Sequence, residues 1–88
     1  MRVKILKFEK KLYDGEAEKV VLPAVTGEMC LLPHHISIIT LLRKGIIKVF
    51  KPNDGPPLMV DVEGGICSFF GDEAVFLIKD SGLCTSVS

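Results

Sequence analysis

The 88-residue chain has no tryptophan, one tyrosine and no net charge, because eleven Lys and Arg are matched by eleven Asp and Glu. The missing basic excess argues against nucleic-acid binding, which relies on clustered cations to neutralise phosphates. Cysteine is sparse. Cys30, Cys67 and Cys84 are widely spaced and odd in number, unlike the dense, even framework of a secreted disulfide scaffold; reduced thiols in a cytoplasm are the simpler reading. Long apolar runs are also missing. The most apolar stretch, Ile36 to Leu42, is short and includes Ser37 and Thr40, whereas a membrane-spanning helix needs about 20 apolar residues. The segment Met1 to Lys7 is interrupted by charge and reads as neither a signal nor a transit peptide. Helical periodicity is absent too. The nearest candidate, Ile36 to Lys44, carries β-branched Ile36, Ile38, Ile39 and Thr40, which favour a strand.

What remains is a rich apolar fraction. Hydrophobic residues make up 48% of the chain and the mean hydropathy is +0.38, too apolar for a disordered polypeptide. A chain of this size hides roughly 63% of its unfolded surface on folding, enough for one modest core. We expect one domain over residues 1–82 and a short tail over 83–88. Turn signals recur at Asp14-Gly15, Thr26-Gly27, Arg43-Lys44-Gly45, Pro52 to Pro57, Glu63-Gly64-Gly65 and Gly71-Asp72. Each supplies residues that bend the chain or tolerate positive φ. Between them, apolar residues alternate: Val3 and Ile5, Ile47 and Val49, Leu58, Val60 and Val62, Phe76 and Ile78. Period two with close turns predicts an all-β fold, a two-layer antiparallel β-sandwich or flattened barrel of about eight to ten short strands with no long helix. Hairpins are expected around Gly45, across Pro52 to Pro57, and around Gly71. Gly64-Gly65 reads as a bulge or tight corner rather than a phosphate loop, since no Lys-Ser/Thr pair or helix start follows it.

Several strands are apolar in both phases, as at Leu31-Leu32, Ile46-Ile47 and Phe69-Phe70. In a sandwich only one face of each sheet is covered by the other. The second phase therefore predicts uncovered apolar surface and a docking partner, or else self-association. Catalytic signals are weak. Cys30, His34 and His35 lie close together and admit a metal- or ligand-binding reading, but zinc sites ordinarily add a second ligand pair further along the chain. A catalytic thiol would need a base and an orienting group, and the carboxylates form no evident acid/base pair. No cofactor motif is present.

The run from Val20 to His35, VVLPAVTGEMCLLPHH, resembles the N-terminal β-sandwich domain of F-type ATP synthase epsilon subunits. That family tends to carry Val-Leu-Pro, then Gly-Glu, an apolar pair and Pro-Gly-His. Ile38-Ile39-Thr40, Arg43-Lys44-Gly45, Val62-Glu63-Gly64-Gly65-Ile66, Gly71-Asp72 and Val75 to Asp80 continue the match, over about residues 3–80. The resemblance implies a noncatalytic central-stalk (rotor) subunit. It would couple the c-ring and the gamma subunit during proton-driven ATP synthesis, without a cofactor. It would sit peripherally on the cytoplasmic side of a bacterial inner membrane and touch that membrane only through the complex. By resemblance, Glu28, His35 and Thr40 face the c-ring or gamma. The family's C-terminal helical hairpin, which can inhibit ATP hydrolysis, has no counterpart in the sequence. Where the family has Gly, this chain has His34, and Ile36-Ser37 replaces Ala-Pro. If the family's glycine serves a positive φ, His34 must adopt it, and histidine is among the better non-glycine residues for that region.

Overall fold

A computed structural model of the chain describes residues 1–7, 10–34, 37–52 and 55–80. The expected turn residues Asn53 and Asp54 and the tail lie outside that set. The described residues form eight strands and no helix: β1 (Arg2–Lys7), β2 (Lys10–Glu16), β3 (Lys19–Ala24), β4 (Gly27–Leu31), β5 (Ile38–Leu42), β6 (Gly45–Phe50), β7 (Leu58–Phe70) and β8 (Glu73–Asp80). The strand path is β2-β1-β8-β7-β5-β3-β4, and β6 pairs with both β3 and β7. Strands β3, β6, β7 and β5 thus close a circuit, the last link being a single bridge between Ala24 and Leu42. The all-β sandwich or flattened barrel expected from the alternation is what the chain forms. One pairing, β1 with β8, is parallel; it joins the two ends of the domain and has no local turn to announce it.

The alternating residues build the core. Val3, Ile5, Val20, Leu22, Leu31, Ile47, Val49, Val60, Val62, Cys67, Phe69 and Phe76 are essentially buried and belong to one cluster. Among the described residues no polar or charged side chain is buried, so hydrophobic transfer carries the stability. Burial pushes the Cys67 thiol up to about 12. At neutral pH it stays protonated and behaves as a small apolar residue.

Strand β7 explains how two layers arise from one sheet. In its first half Val60 and Val62 point inward; in its second half Cys67 and Phe69 do. Even positions give way to odd ones, which a regular strand forbids because side chains alternate strictly. The switch occurs at the register shift between Val62 and Gly64, opposite β8. This is the bulge expected at Gly64-Gly65. Gly65 has a φ of +146°, and a Cβ there would collide with the Leu77 carbonyl oxygen and lie 2.8 Å from the Ile78 Cα. Only glycine allows β8 to approach this closely.

The hairpin expected around Gly45 does not form. β5 and β6 make no pairing with each other. Both run antiparallel to β7, β5 against Gly65 to Phe69 and β6 against Leu58 to Val62. The chain therefore continues in one direction through Arg43-Lys44, and the turn-like residues mark a bend opposite the β7 bulge. Gly45 serves a different end: a Cβ there would lie 2.7 Å from the Cβ of Pro23, so its absence lets β6 pack beside β3. Hairpins do form between β6 and β7 and, through Gly71 and Asp72, between β7 and β8.

At the far edge, Asp14 on β2 joins Arg2 at 2.7 Å and Lys11 at 3.1 Å. The hydrogen bond from Lys11, with help from Arg2, lowers the Asp14 carboxyl below its ordinary value. These pairs are exposed and belong to the solvated rim, where each contributes little.

Candidate docking surface

The register places a set of outward side chains on one face of the layer made by β5, the second half of β7, β8 and β1. Leu41 lies opposite Ile66, Ile66 opposite Leu77, and Leu77 opposite Leu6. With strands about 4.8 Å apart, this aliphatic row runs roughly 14 Å across four strands. Beside it run Ile39, Ser68 and Val75, which end at Lys4. Beyond them lies Phe70. Ile39 is 78% exposed and Phe70 73%, and Leu41, Ile66 and Leu77 are also exposed. The apolar field is bounded on the β1 side by charge, with Lys4 bonded to Glu73 at 3.0 Å and Arg2 to Asp14. A contiguous apolar patch with an ion-paired rim is how soluble proteins present a binding surface.

One end of this face deepens into an apolar groove of about 630 Å³, lined by Ser37, Ile38, Ile39, Ser68, Phe69 and Phe70. The residues flanking it are tied together. The His34 amide donates to the Asp72 carboxylate at 3.0 Å, and the Arg2 amide donates to the Asp72 carbonyl oxygen at 3.1 Å. His34 has a φ of 66°. The histidine therefore occupies the left-handed conformation expected of it in place of glycine.

Of the residues singled out by resemblance, neither Glu28 nor Thr40 lies on this face. Glu28 is exposed on β4, opposite Pro23. It lines a separate polar groove of about 320 Å³ with Arg43, Lys44, Gly45, Ile46 and Lys48. Thr40 is half-buried on β5 opposite Cys67, and it points away from the face that Ile39 and Leu41 occupy. His35 lies outside the described residues. For the metal reading, Cys30 is exposed on β4, His34 sits in the turn beyond it, and the trio's third member is again His35. Among the described residues no group of three or more His, Cys, Asp and Glu could hold a metal ion. No described helix is long and apolar enough to cross a membrane.

The apolar face itself was only half legible beforehand. The pair Phe69-Phe70 marks a strand apolar on both faces without saying which ring is uncovered, and Leu6, Ile39, Leu41, Ile66, Val75 and Leu77 give no surface by themselves. Their signal was present, as apolar residues in the second phase of neighbouring strands. Joining them required the β5-β7-β8-β1 order.

Comparison with known proteins gives this architecture a family. The model of the ATP synthase delta/epsilon chain β-sandwich domain matches residues 1–80. The ATP synthase epsilon chain of Neisseria gonorrhoeae is 35% identical over 77 residues, which cover 88% of this chain and 55% of that protein. The ATP synthase epsilon chain of Prochlorococcus marinus strain MIT 9301 is 30% identical over 86 residues, covering 98% of this chain and 63% of its own length. The chain thus spans somewhat more than half the length of these relatives. Among solved structures, a chain of the Euglena gracilis mitochondrial ATP synthase OSCP/F1/c-ring assembly superposes with a TM-score of 0.79 at 17% identity, covering 86% of this chain and 48% of that one. A chain of the Tetrahymena thermophila mitochondrial ATP synthase central stalk and c-ring gives 0.70 at 13% identity, covering 90% and 63%. At such identities these two establish the likeness of fold. The matched family model and the curated relatives establish more: the chain belongs to the ATP synthase delta/epsilon chain family and corresponds to its β-sandwich domain.

Proposed function

We propose that the chain is a noncatalytic central-stalk subunit of an F-type ATP synthase, joining the gamma subunit to the c-ring while the complex makes ATP. Its place would be peripheral, on the cytoplasmic side of a bacterial inner membrane. The observation that carries the reading is the exposed apolar field around Ile39, Leu41, Ile66, Phe70 and Leu77. Such a field gains from being covered, and family membership supplies a fitting occupant in gamma. The absence of net charge removes one barrier to that association. The experiment is co-expression with the gamma subunit of the same complex. The two are expected to co-purify and to associate at micromolar concentration. Two folded proteins that stay apart at that concentration, with this chain forming a defined oligomer by itself, would replace the reading with self-association.

The groove around Glu28 suits the other contact. Its carboxylate stands among Arg43, Lys44 and Lys48, a mixed-charge surface matched to the polar loops of a c-ring. Glu28→Lys removes the one acidic group of that groove from an exposed site. The variant is expected to melt within about 2 °C of the wild type, as exposed changes usually do, while ATP-driven proton pumping in membrane vesicles falls by about half or more, the loss of one charge-assisted contact. Unchanged pumping would remove Glu28 from the interface. His35 and Thr40 are proposed for the same rotor contacts on family resemblance alone.

A further inference from the structure

Two non-glycine residues among those described have positive φ, His34 at 66° and Asp72 at 60°. They are the donor and acceptor of one hydrogen bond, from the His34 amide to the Asp72 carboxylate at 3.0 Å. Glycine would hold either conformation with less strain, and at Asp72 the turn follows Gly71, itself at a φ of 60°. A tight two-residue hairpin needs only residues that accept positive φ. A carboxylate there does something that glycine cannot. Such strain persists where surrounding structure holds it, and it concentrates at functional positions.

The bond also sits in a telling place. Asp72 follows Phe70 and Gly71 at the end of β7. His34 belongs to the segment that leads into Ser37, Ile38 and Ile39. Phe70 on one side and Ser37 to Ile39 on the other line the apolar groove. The Asp72 carbonyl oxygen meanwhile takes the Arg2 amide, so the same residue also fastens the start of β1.

We propose that Asp72 is a positioning residue for docking: its carboxylate clasps the β4–β5 segment to the β7–β8 turn and holds the groove open for an apolar side chain of the partner. This rests on the gamma-docking reading above. A preformed groove spares the partner the cost of ordering the segment on binding. Asparagine keeps an acceptor oxygen and tolerates the same φ, so it is the conservative replacement. Glycine keeps the turn and loses the clasp.

The test compares wild type, Asp72→Asn and Asp72→Gly in the full chain by three measurements. These are amide exchange at His34, melting temperature, and affinity for the gamma subunit by titration calorimetry. Asp72→Gly is expected to raise His34 exchange and weaken gamma binding, each about tenfold, the effect of losing one hydrogen bond to a charged acceptor. Its melting temperature should stay within about 8 °C, because relief of the left-handed strain offsets most of the lost bond and of the extra freedom of the unfolded chain. Asp72→Asn should bind within about threefold of wild type, the margin for exchanging a charged acceptor for a neutral one. Unchanged exchange in Asp72→Gly would refute the clasp. Raised exchange with unchanged affinity would refute its role in docking, as would a fall in stability large enough to account for the lost affinity. A wild type that does not bind gamma overturns the docking reading and this role with it, and the exchange result then reports on the clasp alone.

Discussion

Gly65→Ala is expected to lower the melting temperature by about 15 °C or to prevent folding altogether. The added Cβ would collide with the Leu77 carbonyl oxygen and stand 2.8 Å from the Ile78 Cα. Both are backbone atoms in the paired ladder of β7 and β8 and cannot swing aside as a side chain would. Relief requires parting the strands, an overpacking cost of about 1–3 kcal/mol. The φ of +146° adds roughly 1–2 kcal/mol for any residue with a Cβ. Together these reach about 3 kcal/mol, and in a domain of this size each kcal/mol moves the midpoint by about 4–8 °C. Gly27→Ala separates the two contributions. Gly27 has a φ of +130° but nothing within 4 Å of a built Cβ, so only the conformational part applies and the expected fall is about 5–10 °C. Thermal unfolding followed by circular dichroism measures both. Equal losses at the two positions would show that close approach of β8 is not what glycine serves at Gly65.

Placing carboxylates in the apolar field is expected to abolish the proposed binding to gamma without unfolding the domain. In the double variant Ile39→Asp, Leu77→Asp both substitutions fall on exposed positions in neighbouring rows of the patch, at 78% and 53% exposure. The free protein loses little, since neither side chain is part of the core. In the complex each carboxylate would be buried against an apolar partner surface, and desolvating an unpaired charge costs several kcal/mol. Affinity should fall at least about a hundredfold, each 1.4 kcal/mol being worth tenfold. Met59→Asp is the matched control. Met59 is an exposed apolar residue as well, but it lies opposite Lys48 in the other layer and should leave binding unchanged. Equal weakening by all three changes would locate docking elsewhere, and no weakening by the double variant would exclude this face.

The inward half of the strands was legible because it rests on local rules. Alternation in Val3 and Ile5, in Ile47 and Val49, and in Val60 and Val62 states which side chains meet the core, and all of them are buried. The bulge at Gly64-Gly65 was legible for a related reason: few residues suit that backbone, so the residue type reveals the geometry. The positive φ of His34 was legible only through the resemblance, as the place of a family glycine. What failed or went unseen depends on pairing between distant segments. Arg43-Lys44-Gly45 has the composition of a hairpin turn, yet the partner of both flanking strands is β7, some twenty residues on. The parallel β1–β8 ladder joins opposite ends of the domain. The apolar face needs that ladder, since Leu6 meets Leu77 only through it. Asp72 went unnoticed beyond its turn because its acceptor role depends on His34, far away in the chain.

The bent ribbon of β7 against β5 and β6 has a mechanical consequence. A sandwich whose layers touch only through side chains can yield by sliding one layer over the other. Here β7 passes whole from one layer to the other and β5 continues into β6 through Arg43-Lys44, so a sideways load on Phe70 or Ile39 is resisted by peptide bonds and by rows of hydrogen bonds pulled in shear. Rotation imposed at one face would reach the opposite face with little elastic loss.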